Sequence, residues 1–203
     1  MDMRKILTKE EKDKKETRNK VIIGLVLVAI MIFGTVGYAF FSNPTDNNKA
    51  KITYKGIEFI LNENNLWQFK VQNLGFETQY NPKETENISV PVSASVYTYS
   101  GKPLFFLGQG AAKQEIARNL WNVLSRAPQD GCIKSYEKLC GDNTPIKNCS
   151  EDNIIIIQEQ NYTEISEEDI EIKQEDNCIF IAAPYAEQGR AADAFLFKIL
   201  GIN

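Results

Sequence analysis

Apolar and polar positions divide the chain at Phe41. From Val21 to Phe41, "VIIGLVLVAIMIFGTVGYAFF" contains no charged residue. At about 1.5 Å per helical residue such a run spans roughly 31 Å, the thickness of a bilayer's hydrocarbon core. A soluble core helix of that length normally keeps a polar stripe, so the pattern predicts a transmembrane helix over 21–41.

Beyond it the period changes to two. "GIEFILNENNLWQFKVQNLGFETQY" alternates through Ile57, Phe59 and Leu61, then Leu66, Phe69 and Val71 with Trp67 between them. The polar "NENN" and "NLG" read as hairpin turns. "SASVYTYSGKPLFFLGQ" continues as strand, broken at Gly101 and Pro103. "AAKQEIARNLWNVLSRA" then puts Ile116, Leu120, Val123, Leu124 and Ala127 on one face of a helix. After a cysteine-rich loop, "NIIIIQ" has the β-branched run of a buried strand. "EDIEIKQEDNCIFIAA" reads as a hairpin and "QGRAADAFLFKILGI" as a largely apolar helix. The expected fold is α+β, or a small three-layer α/β domain, with antiparallel strands and two main helices. The expected organisation is an arm over 1–20, the span over 21–41, a linker over 42–51 that breaks at Pro44, and one domain over 52–203.

Charge sets the expected orientation. The arm carries eight Lys or Arg and five acids, whereas only Lys49, Lys51 and Lys55 follow the span closely. The positive-inside rule places the N-terminus in the cytoplasm and the domain outside. Cleavage after a signal peptide is the competing expectation, with Gly37 and Ala39 as the small residues a peptidase needs. The long n-region and the long apolar run favour an uncleaved signal-anchor held in the lipid bilayer. Of the chain's 23 basic and 27 acidic side chains, 15 and 22 remain beyond the arm, a net charge near −7. Such a domain is a poor partner for nucleic acid.

The chain has no histidine. That removes Ser-His-Asp and Cys-His catalysis and the commonest zinc ligand. An enzyme here needs paired carboxylates or a Ser-Lys pair. No cofactor or metal is expected. Gly108-x-Gly110 sits between strand and helix like a phosphate cradle, but Lys113 stands where a third glycine belongs, so a tight connection is expected. Glu164, Glu167, Glu168, Asp169, Glu171, Glu175 and Asp176 lack the turn glycine of a calcium loop. With Ile165, Ile170 and Ile172 between them they read as a solvated sheet edge. Asn87, Asn148 and Asn161 begin N-x-Ser/Thr sequons and offer glycosylation acceptors.

The closing "NCIFIAAPYAEQGRAADAFLFKILGI" and the opening "YKGIEFILNENNLWQFKV" together resemble uncharacterised single-span envelope proteins of archaea. The resemblance covers most of the expected outer domain and implies a topology and a compartment. It transfers no catalytic or binding residue.

Cys132, Cys140, Cys149 and Cys178 lack the close C-x₂₋₄-C pairs of a zinc site. Outside the cytoplasm an even count reads as two disulfides. The preferred pairing is Cys140 with Cys149 and Cys132 with Cys178; the alternative is Cys132 with Cys140 and Cys149 with Cys178. The expected function is a membrane-anchored, extracytoplasmic binding or structural module of the envelope with a protein partner. An envelope hydrolase using paired carboxylates or Ser-Lys is the alternative.

Overall fold

The computed structural model describes residues 18–27, 50–160 and 170–203. The chain divides into two units, Met1–Asn48 and Lys49–Asn203. In the first, residues 18–27 are helical and Val21 and Leu25 are exposed. Most of the expected span lies outside the described residues. Among the described residues, no helix is long and apolar enough to cross a membrane.

The second unit is a mixed α+β domain. It opens with a four-stranded antiparallel meander in sequential order: β1 (Lys51–Tyr54), β2 (Ile57–Leu61), β3 (Trp67–Val71) and β4 (Leu74–Thr78). Its first strand starts at Lys51, inside the expected linker. The tight turns are local chemistry. The Asn62 side chain accepts hydrogen bonds from the backbone N–H groups of Asn64 and Leu66, closing "NENN". The second turn centres on Gln72 and Asn73, both at positive φ, so Leu74 and Gly75 belong to β4 rather than to the turn. Alternation sends Phe59, Phe69 and Phe76 inward and Glu58, Ile60, Gln68, Lys70, Gly75 and Glu77 outward.

Two short helices follow, α1 (Pro82–Thr85) and α2 (Val96–Tyr99). The second corrects the expected strand "SASVYTY". Ser95 starts it: the Ser95 N–H donates to Thr98 Oγ1, and the Thr98 N–H returns to the Ser95 carbonyl. Next come β5 (Leu104–Leu107), α3 (Ala111–Leu120), β6 (Gln129–Asp130), β7 (Cys132–Ile133), β8 (Ile146–Lys147), β9 (Asn153–Glu159), β10 (Glu171–Glu175), β11 (Cys178–Ala183) and α4 (Gln188–Ile199). A second sheet runs β10-β11-β9-β5-β6. Its interior is parallel and only β10 pairs antiparallel, so in this sheet the expected antiparallel strands are replaced by parallel ones, while the meander is antiparallel as expected. The all-apolar "IIII" of β9 lies at its centre, buried on both faces as that composition requires. β10 lies at an edge with Glu171, Lys173 and Glu175 outward and Ile172 inward.

One face of this sheet, with Phe106, Ile155, Ile157, Ile179 and Ile181, joins the main core together with α3, α4 and the meander's inner aromatics. Ten residues of the twelve in α4 are buried, so it is an interior helix. Its Phe197 ring lies 6.0 Å from Phe59 and 5.7 Å from Phe69. The other face packs Phe105, Ile154, Ile156, Cys178 and Phe180 against Ile133, Tyr136 and Cys149 of the cysteine loop.

That loop is fixed by disulfides Cys132–Cys140 and Cys149–Cys178, and no cysteine is free. The preferred pairing is therefore wrong and the alternative is the one formed. The reason is strand order. β9 lies parallel beside β11 with Ile154 opposite Cys178, and the Asn177 N–H donates to the Cys149 carbonyl. Cys149 is thus delivered to Cys178 by the sheet, which leaves Cys132 to close the short loop with Cys140.

Candidate functional site

The meander's outer face floors an open groove of about 800 Å³. Glu58, Ile60, Gln68, Lys70, Gly75 and Glu77 lie along the floor, and Arg118, Asn119 and Asn122 at the end of α3 form a wall. The wall is attached to the floor through backbone. Asn119 Oδ1 accepts from the Glu77 N–H at 2.8 Å and its Nδ2 donates to the Glu77 carbonyl at 2.7 Å. This two-bond contact satisfies β4 as a neighbouring strand would, closing that edge. Gly75 keeps the floor open: a Cβ built there meets nothing within 4 Å.

The acids of the floor are already engaged. Glu77 Oε1 accepts from Gln68 Nε2 at 2.6 Å, and Glu58 pairs with Lys51 at 3.4 Å. Among the described residues, the side chains of Lys70 and Asn122 make no hydrogen bond or ion pair within the protein. Arg118 is anchored at one corner only. Its Nη2 donates to the Glu77 carbonyl at 3.0 Å and to Glu115 Oε1 at 2.5 Å.

Behind that wall lies a second constellation. Glu115 of α3 and Asp193 of α4 are 1% and 0% exposed, and their carboxyl groups meet directly. Both helices follow parallel strands and run parallel. Gly110 faces Gln188 at their starts, and Glu115 faces Asp193 five residues further along each. The end of β4 closes the node. The Tyr80 N–H donates to Asp193 Oδ2 at 2.8 Å and Gln79 Nε2 to Glu115 Oε2 at 3.2 Å.

Burial raises both carboxyls above their ordinary values, Asp193 most, because the charge on Glu115 adds to its desolvation. Arg118 works the other way on Glu115. Asp193 Oδ1 receives no hydrogen bond from a protein donor. Burial and the approach of the two carboxyls thus favour protonation of the pair, with the Arg118 guanidinium beside Glu115. Tyr80 is also raised, by burial and then by the charges of Glu187 and Asp193.

Neither acid was singled out in the sequence. Glu115 sits beside Ile116 on an amphipathic helix and passes for a solvated residue. Asp193 had a visible signal: "AADAFLF" surrounds it with apolar residues on every side.

The residues that were singled out are dispersed. Asn87 and Asn148 are exposed. Asn87 Oδ1 accepts from Arg190 Nη2, and Asn148 Oδ1 from the Ser150 N–H. Asn161 lies outside the described residues, as do Glu164, Ile165, Glu167, Glu168 and Asp169. The Gly108–Gly110 loop connects strand to helix without an open cradle. A Cβ at 108 would lie 2.2 Å from the Ile157 carbonyl oxygen, and one at 110 would lie 2.0 Å from Gln188 Oε1. Lys113 bonds Gln109 and Asp130. Among the described residues, no serine hydroxyl is hydrogen-bonded to a lysine, and no group of three or more Cys, Asp or Glu could hold a metal ion. No family model, no curated protein and no solved structure matches the chain.

Proposed function

We propose that the chain is an extracytoplasmic binding module of the cell envelope, anchored through residues 21–41, whose groove on the meander's outer face receives a segment of a protein partner. The observation that carries this is the groove itself. It is open, its floor is a regular sheet face, Gly75 leaves it unfilled, and the side chains of Lys70 and Asn122 stand in it without a hydrogen bond or ion pair to the protein. Support for the compartment comes from the two disulfides and the charge-free run. The hydrolase alternative is disfavoured by access: the carboxyl pair is sealed from any substrate.

The decisive experiment places a photo-crosslinking amino acid at Gln68 in the groove or at Lys173 on the far sheet edge, in cells of the source organism. A discrete adduct is expected from position 68 and not from 173, and it should vanish when Gly75→Tyr fills the floor. Gly75 is not at positive φ, so that substitution introduces no backbone strain. Adduct formation indifferent to Gly75→Tyr would overturn the groove. Topology is checked separately: protease added to intact spheroplasts should remove the domain and spare an N-terminal tag, and a protected domain would refute the anchor reading.

A further inference from the structure

We infer that the groove selects an acidic segment of its partner on Arg118, Lys70 and Asn122, and that Arg118 moves to this segment as a proton is taken up by Glu115 and Asp193. The inference rests on the proposed binding role and names both its ligand chemistry and its regulation.

Charge in the groove carries the first half. Glu58 has Lys51 beside it, whereas Glu77 holds only the neutral Gln68 amide and keeps its charge, so an acidic segment is received at Lys70, Asn122 and Arg118 and not across Glu77. The unpartnered groups are the Lys70 ammonium and the Asn122 amide, both able to donate to an anion. Arg118 uses only Nη2 on protein acceptors. Its Nε–H and Nη1–H groups make no hydrogen bond to the protein, and when Nη2 leaves Glu115 the Nη1–Nη2 edge becomes free to grip a carboxylate with two hydrogen bonds. A chain with Asp or Glu side chains laid along a sheet face supplies that group, and Ile60 gives it an apolar contact between the charges.

The node behind Arg118 carries the second half. Arg118 is the cation that neutralises the Glu115–Asp193 pair. Among the described residues, the other titratable groups that act at the node are Tyr80 and its neighbours. Tyr80 donates its backbone N–H to Asp193, while Glu187, Arg190 and Glu84 act on the Tyr80 side. When Arg118 turns to the ligand carboxylate, the buried negative charge on Glu115 loses its counter-ion. A solvent proton then binds Glu115, whose burial beside Asp193 favours the neutral form once Arg118 has left. Charge balances: the ligand brings one negative charge to Arg118, and one proton cancels the charge left behind. Binding therefore strengthens as pH falls.

The test uses the folded domain and N-acetylated, C-amidated hexaglutamate in low-salt buffer, followed by calorimetry in buffers of different ionisation enthalpy. Binding is expected for hexaglutamate and not for hexaglutamine. Arg118→Gln and Lys70→Gln should each weaken it about tenfold. The Lys70 side chain points out of β3 and makes no hydrogen bond or ion pair, so its effect is separable from misfolding. About one proton should be taken up per peptide at near-neutral pH, and Glu115→Gln, which removes the buried charge that Arg118 neutralises, should bind with no uptake. Tight hexaglutamate binding without proton uptake refutes the coupling. Binding of oligogalacturonate but not hexaglutamate would make the occupant an acidic glycan and overturn the peptide assignment. Absence of hexaglutamate binding, while the position-68 adduct still depends on Gly75, would refute the acidic selection and leave the binding role standing.

Discussion

The two faces of the five-stranded sheet are covered by different means. One faces α3, α4 and the meander, where Phe59, Phe69, Phe197, Ile155 and Ile179 build a large continuous core. The other faces an irregular loop containing two two-residue strands and a 3₁₀ turn, with Ile133 and Tyr136 as its main apolar contacts. A regular element brings its own backbone hydrogen bonds and a full apolar face. An irregular loop brings little of either, so it must be held another way. Here Cys132–Cys140 folds the loop on itself and Cys149–Cys178 fastens it to the sheet. Covalent bonds replace packing where the pattern is too short to pack.

The contrast can be attacked from either face. Phe197→Ala empties the space packed against both Phe59 and Phe69 and should cost about 3–5 kcal/mol, read as a lowered urea midpoint with an unchanged slope. A loss under about 1 kcal/mol would show that the helical face does not depend on this contact.

Replacing Cys149 and Cys178 together by alanine opens a 29-residue separation, worth about 3.5 kcal/mol on the chain-entropy model. Replacing Cys132 and Cys140 opens eight residues and should cost about 2.5 kcal/mol. Hydrogen exchange sharpens the point. In both variants amides between Gly131 and Cys149 should lose protection first, while those of α4 keep theirs; uniform loss across the domain would contradict two separately secured faces.

The buried pair adds a pH dependence to the helical face alone. Because Asp193 and Glu115 titrate above their unfolded values of 3.8 and 4.5, the unfolded chain releases their protons first as pH rises. Stability should fall from about pH 4 upward by as much as about 1.4 kcal/mol per pH unit per group, levelling off above the raised folded value. Asp193→Asn should flatten that decline in denaturant titrations, and an unchanged profile would mean the pair does not hold a proton. Smallest is Tyr136→Phe, which removes the hydroxyl that accepts from Gln158 Nε2 at 2.8 Å. About 1 kcal/mol should be lost, confined to the loop face.

What could be read in the sequence follows the same division. β9, the β10–β11 hairpin, α4 and α3 as far as Leu120 were legible because their periods are those of their structures; the expected continuation of α3 through Val123, Leu124 and Ala127 is turn and loop instead. "VYTY" was misread because a Ser95–Thr98 cap outweighs β-branched and aromatic propensity over four residues. The disulfide partners were not legible: they depend on β9 lying beside β11, a pairing no local pattern specifies. The groove was also hidden, since outward residues of a meander look alike whether they meet water or a partner. Only Gly75, a residue disfavoured in strands, marked the spot.

The place of α4 in the chain has a consequence for synthesis. Phe59 and Phe69 find their cover in Phe197, more than a hundred residues downstream. The meander emerges first with its aromatic face bare, and it stays bare until the helix arrives. Contacts of such long range slow folding and bind its steps into one. The domain is thus expected to remain pliable while the chain is made and to close in a single late event, timed by the appearance of α4.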